Sequence, residues 1–244
     1  MRYCIMADWD DVPHLSAEQK TKLWESIPEH EREARSKGIP SLGSGAVFPV
    51  PDELIKTGDM AIPLHWPQIN GLDFGWDHPT AAVNIAWDRD ADCVYVCKTY
   101  RQAKATPVIH AAAIKPWGDW IPCAWPHDGY QHDKGSGLAL ADQYRAQGLN
   151  MTLEHATHAE GGYGTEAGIM EMLDRMQTGR LKVFASLNDW FEEKRMYHRD
   201  NGQIVKINDD LMSATRIALM MIRFATLGPR RSDGRRGPKR GTIA

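Results

Sequence analysis

The sequence lacks any apolar run approaching the ~18 residues that a membrane-crossing helix needs. Its longest, Ile217 to Ile222, has six residues. The opening MRYCIMADWDD has no extended apolar stretch of the kind found in a secretory leader. Cysteine is scarce, with four in 244 residues. Cys93 and Cys97 lie four apart in CVYVC and share one face of an expected strand, which suits a core pair. Zinc is the weaker alternative, because no second Cys/His pair has finger-like spacing. Cys4 and Cys123 stand alone, so no disulfide framework is expected. GSG at 43–45 is not followed by Gly-Lys-Ser/Thr, and no phosphate loop occurs elsewhere, so these residues hold no nucleotide motor of that type. The nine tryptophans form no ladder that would stack single-stranded bases. These absences leave a soluble, intracellular protein with no membrane partner as the expectation.

Charge is unevenly spread. The chain carries −3, yet PRRSDGRRGPKRGTIA at its end has six Arg/Lys and one Asp, so the first 228 residues carry −8. Residues 229–244 have too little apolar content to fold alone and are expected to form a flexible basic tail. Such an arm is either a solubilising end or a contact for phosphates or an acidic protein surface.

Residues 1–61 differ in texture from the rest. RYCIMADW can form a strand, and SAEQKTKLWESI reads as a short helix capped by Ser16. A charged stretch then gives way to Gly and Pro, with a short apolar strand around Ala46 to Val50. This segment offers no complete core, so it reads as a linker or the remnant of a neighbouring domain. From residue 62 to 228 the pattern becomes regular. Strands are expected at 69–75, 80–87 and 93–100, the last two joined by DRDAD. A helix beginning at Thr106-Pro107, a strand at 120–125 and a helix closed by Gly148 follow. Next come a strand at 151–155, a helix at 166–177, a strand at 181–185 and a helix from 188. A hairpin around Asn201-Gly202 precedes a final helix over 209–226. Three adjacent strands followed by alternating helices and strands predict a mixed α/β sheet with helices on both faces, in ribonuclease H-like order.

That order would bring three acidic positions to one edge: Asp73 on the first strand, Asp128 after the fourth, and Asp209 with Asp210 at the start of the last helix. Gathered carboxylates repel and lose hydration, and a divalent cation relieves both penalties. Hard oxygen ligands suit Mg²⁺ or Mn²⁺, and two ions about 3.5–4 Å apart can clamp a phosphodiester for in-line attack by water. Taken singly, each residue has a plainer reading: a turn former, an Asx-turn, or a complement to the helix dipole. His132 and Asp133 beside Asp128 are candidates to support the second metal, and Lys134 to meet a phosphate; a solvated polar loop is the alternative for each. Lys194, Arg195, Arg199 and Lys206, around YHRDNGQIVK, are candidates for holding a DNA backbone, against a solvated edge hairpin.

GLDFGWDHPTAA, PHDGYQHDKGSG, GRLKVF and YHRDNGQIVKINDDLMSATR, in that order and spacing, resemble the C-terminal nuclease domain of the large terminase subunit of tailed bacteriophages. DWDDVPHLS, IPEHEREARSKGIP and LGSGAVFPV resemble the stretch that leads there from the motor ATPase. The resemblance implies a ribonuclease H-like nuclease that cuts double-stranded DNA with little sequence preference during genome packaging. It also implies that Asp73, Asp128 and the Asp209/Asp210 pair bind two Mg²⁺ or Mn²⁺ ions. It further implies portal protein and small terminase subunit as partners in the full motor, and the cytoplasm of the infected bacterial host as the location. The isolated chain is expected to be monomeric. The rival readings are a catalytically silent docking module for portal or small subunit, and a strand-transferring recombinase of the same fold.

Overall fold

The computed structural model describes residues 8–11, 15–27, 32–37, 45–132, 137–200 and 203–229. The strand expected in RYCIMADW lies almost wholly outside these, as do Asp133, Lys134, the Asn201-Gly202 turn and all but the first residue of the basic tail.

Ser16 caps helix α1 (Ala17–Ser26) through a reciprocal capping box with Gln19. Helices α2 (Arg32–Lys37) and α3 (Asp52–Ile55) follow, then strand β1 (Lys56–Thr57). The three expected neighbouring strands are β2 (Gln68–Asp73), β3 (Thr80–Asp88) and β4 (Cys93–Gln102), paired antiparallel in succession. Helix α4 (Pro107–Ile114) leads to β5 (Pro122–Ala124), and helix α5 (Leu140–Ala146) to β6 (Asn150–Met151). Helix α6 (Thr165–Gln177), β7 (Leu181–Phe184) and α7 (Asn188–Met196) complete the alternation. A small hairpin, β8 (Arg199–Asp200) with β9 (Gln203–Ile204), precedes α8 (Asp210–Met220). The main sheet has seven strands in the order β1-β7-β4-β3-β2-β5-β6, with parallel pairing outside the central antiparallel trio.

Period-two alternation sorts the central strands onto two faces. Ile69, Ala81, Val83 and Ile85 join the cluster formed with α6, α7 and α8, while Leu72 and Ala82 join the cluster under α4 and α5. By the same alternation Gly71 and Asp73 share the face of Ile69. Gly71 lets α8 press onto β2: a Cβ there would lie 2.1 Å from the carbonyl oxygen of Ala214. Cys97 is a core residue beside Trp66, Ala86 and Phe184, as its place on the strand suggested.

The packed body reaches upstream of the boundary expected at residue 61. Val47, Phe48, Val50 and Ile55 sit in the main core, and β1 adds an edge strand beside β7. The strand expected at 46–50 is reduced to one bridge, Ala46 to His198, because Pro49 and Pro51 cannot donate to a ladder. The final helix stops at Met220, short of 226; a 3-10 turn at Ile222–Phe224 then carries Thr226 back to bridge Gln68.

Candidate active site

Asp73 ends β2 in the middle of the sheet. Its parallel neighbour β5 delivers Asp128 to the same edge, on a 3-10 turn at His127–Tyr130. Asp209 is the N-cap of α8 and Asp210 its first residue. Four carboxylates from three parts of the chain therefore meet. Burial first, and then the negative charge of Asp128, hold the Asp73 carboxyl well above the usual range; Asp209 and Asp210 push the same way, and Arg216 opposes. Burial also raises Asp128 and Asp209, and burial followed by the charge of Asp209 raises Asp210.

Two of these carboxylates have an oxygen shut off from water with no hydrogen-bond partner among the described residues: Oδ1 of Asp128 and Oδ2 of Asp210. A buried acceptor left in that state costs ~1–3 kcal/mol, so the cluster fits a hard divalent cation, which would satisfy the oxygens and cancel the repulsion. Among the described residues, no group of three or more His, Cys, Asp or Glu side chains is already closed around a metal position.

Neighbouring groups support the cluster. Glu193 of α7, 2% exposed, accepts the backbone N–H of Leu211 at 2.6 Å and pairs with Arg101 at 2.5 Å. It thereby supplies from another helix the cap that the Asp209 side chain does not. Burial pushes the Glu193 carboxyl up to about 7 against the pull of Leu211 and Arg101. His78, between β2 and β3, attracts both Asp209 and Asp210. Arg216 follows Asp209 by two helical turns and so shares its face of α8, a spacing readable in the sequence. Nothing in NDWFEEKRM sets buried Glu193 apart from exposed Glu192.

The other candidates are scattered. His132 is exposed on the loop after Asp128, its backbone bridged to Ala139. Asp133 and Lys134 lie outside the described residues. Lys194 is a correction. It is 3% exposed, bonded to Asp52 at 2.6 Å and to the carbonyl of Val50, so its ammonium faces the core and not a DNA backbone. Arg195 binds the other oxygen of Asp52 at 2.6 Å, and both side chains serve to fasten α7 to α3. Arg199 makes a two-pronged pair with Glu166 on α6. Lys206 is exposed and attracts Asp209, which places its charge by the site. His155, near the end of β6, is a residue for which no role was expected. Both ring nitrogens are buried without partners, inside an aromatic group with Trp125, His127, Tyr130 and Tyr163 that backs the Asp128 turn.

A central antiparallel trio extended by parallel strands, helices on both faces and acidic residues at one edge define the ribonuclease H-like class. The chain belongs to the terminase RNase H-like domain family, whose model matches residues 70–222. It is 48% identical over 218 residues to the terminase large subunit of Salmonella phage P22, covering 89% of this chain and 44% of that protein. The chain spans less than half the length of the curated relatives it matches. Among solved structures, it resembles the nuclease domain of the P22 large terminase with a TM-score of 0.71 and 47% identity, over 76% of this chain and 96% of that one. The manganese-bound large terminase nuclease domain of bacteriophage SPP1 shares the fold, with a TM-score of 0.52 and 18% identity over 71% of this chain and 99% of that one.

Proposed function

We propose that this chain is the nuclease part of a DNA-packaging terminase, a metal-dependent endonuclease that cuts double-stranded viral DNA with little sequence preference. The convergence of Asp73, Asp128, Asp209 and Asp210, with two buried oxygens lacking partners, carries this reading. Likeness to the P22 nuclease domain supports it, and the manganese in the SPP1 domain supports a divalent metal ion. That there are two ions, Mg²⁺ or Mn²⁺, rests on the number and hard-oxygen chemistry of the carboxylates. Asp73, central in the cluster and held by its pairing with Ala81 at the end of β2, would be one of the residues that hold the ions. Bound there, the ions would activate water and stabilise charge on the phosphate. In the hydrolysis proposed, the oxygen of water would join phosphorus, one P–O ester bond would break, and a proton of that water would pass to the departing sugar oxygen, leaving one hydroxyl end and one phosphate end. The protein's own part is to hold the carboxylates ionised and in place, through Glu193, His78 and the seat of α8 on Gly71.

By this reading residues 1–61 hold the stretch that leads from a motor ATPase, and the chain works in the host cytoplasm beside portal and small terminase subunit. The test is supercoiled-plasmid cleavage with Mg²⁺, Mn²⁺ or EDTA, with Asp73→Ala in parallel. Metal-dependent nicking lost in the variant is the expected result. A folded wild-type protein that leaves the plasmid intact with either metal would return the docking-module reading to first place.

A further inference from the structure

Arg216 is the cation closest in role to the carboxylate cluster, and its surroundings are unusual. Its stem crosses α6 at Gly168, where a Cβ would lie 2.6 Å from the arginine Cγ. Only a bare backbone admits the side chain at that crossing. Among the described residues the Nε–H is buried without a partner, and the guanidinium bonds only a weak acceptor, Sδ of Met220, at 3.5 Å. The charge is felt by Asp73 and Asp209, yet among the described residues Arg216 forms an ion pair with neither. A guanidinium bonded to those oxygens would compete with a metal; one standing off leaves them free.

Arg216 and Asp128 line a shared cavity of about 200 Å³, with His127, Tyr163 and Thr165 at its sides. Tyr163 lies flat against the His127 ring, at 5.2 Å and 16°. The volume is below the ~300 Å³ at which drug-sized pockets begin, a scale that suits one phosphate with part of its sugar. A planar fork of charged donors with unspent N–H groups matches phosphate oxygens in geometry and sign.

We infer that Arg216 is a substrate-binding catalytic residue whose guanidinium takes the non-bridging oxygens of the DNA phosphate lying across Asp73 and Asp128, from the cavity between α6, α8 and the Asp128 turn. This rests on the nuclease reading above. With ions bound, the carboxylates would face one side of the phosphate, and Arg216 would meet the charge from the cavity it shares with Asp128.

The experiment compares wild type with Arg216→Ala and Arg216→Lys, each checked for folding by circular dichroism, in three measurements. Single-turnover plasmid cleavage in Mn²⁺ is expected to fall by about 10²–10³-fold in Arg216→Ala, the usual loss for one donor to a developing anion. Arg216→Lys should retain part of the rate, as a point charge without the fork. Binding of a short duplex in Ca²⁺ and in EDTA, measured by anisotropy against salt, should lose about one unit of slope in Arg216→Ala. Mn²⁺ affinity by calorimetry should stay the same or tighten. Wild-type cleavage and an unchanged salt slope in folded Arg216→Ala or Arg216→Lys, with only Mn²⁺ affinity altered, would make Arg216 a mere counter-ion and overturn the inference. Failure of the wild type to cut at all counts against the nuclease reading, while the salt slope still decides whether Arg216 holds phosphate.

Discussion

The carboxylate of Glu193 accepts the N–H of Leu211 at 2.6 Å, so a side chain on α7 fixes the first turn of α8, where Asp209 and Asp210 stand. The same carboxylate holds Arg101 of β4. One buried group thus ties sheet, helix and acidic site together. Glu193→Ala is expected to lose about 3–5 kcal/mol, as when one partner of a buried pair is removed. Urea titration gives the stability, and calorimetry gives the accompanying loss of Mn²⁺ affinity. Glu193→Gln, which keeps an acceptor, should recover most of the metal affinity; equal loss in both variants would remove the positioning role.

Gly71 sits two residues before Asp73 and directly beneath α8. A methyl group there meets the backbone at 2.1 Å from Ala214 oxygen and 2.7 Å from Ala218 nitrogen. Backbone cannot step aside as a flexible side chain does. Gly71→Ala should cost at least the upper part of the ~1–3 kcal/mol usual for overpacking. It should also cut plasmid cleavage, because α8 carries two of the carboxylates away from Asp73. A variant with wild-type melting and activity would disprove the tight seat.

Acid should stabilise the metal-free protein. The folded-state carboxyls of Asp73, Asp128, Asp209, Asp210 and Glu193 all lie above their ordinary values. The folded form therefore binds more protons than the unfolded form, and the stability this gives is present at low pH and lost as pH rises through the raised values. For Glu193 the window runs from 4.5 to about 7. Asp92 and Glu166, lowered by their arginine partners, work in the opposite sense but are solvent-exposed and weak. Thermal melts in EDTA should show Tm falling between about pH 5 and pH 8, with Mn²⁺ restoring more at the higher pH. Asp73→Asn should melt higher than wild type in EDTA near neutral pH, because it removes a carboxyl whose charged form burial and its neighbours disfavour, while losing cleavage. His110 and His155, lowered by burial, work in the opposite sense within this window. The comparison therefore decides: a wild-type Tm that falls no more steeply with pH than that of Asp73→Asn would show that the cluster carries no repulsion.

Lys194 pairs with Asp52 in the core, and both are nearly free of solvent. Lys194→Ala should destabilise the fold by about 3–5 kcal/mol, since it strands a buried carboxylate with Arg195 as its remaining partner. Duplex binding by the folded fraction should keep the wild-type salt slope. A slope lowered by about one unit would restore Lys194 to the DNA surface.

Much of the fold was legible because its centre is local. The strands β2, β3 and β4 follow one another with short connections, and their alternating apolar residues mark face and extent to within a few positions. The edge strand β1 was hidden: it has two residues, and its partner β7 lies more than a hundred positions away. The helical run NDWFEEKRM was legible as a helix but not in its contacts. Lys194 and Arg195 read as a basic surface and instead clasp Asp52, because the chain ahead of the sheet folds back over α7.

The sequence by itself determined where the carboxylates stand along the chain: Asp73 at a strand end, Asp128 past the next parallel strand, and Asp209 with Asp210 opening a helix. Periodicity and capping suffice for that, since they act over a few residues. Beyond the seven-residue spacing that puts Arg216 on the face of Asp209, tertiary structure decided what surrounds those carboxylates. Arg216 is held over them by the bare backbone of Gly168, Glu193 is turned inward to cap α8, and Lys194 is withdrawn to the core. The physical reason is range. Propensity and alternation are written in neighbouring residues, whereas burial and charge pairing depend on distances through space that only packing sets.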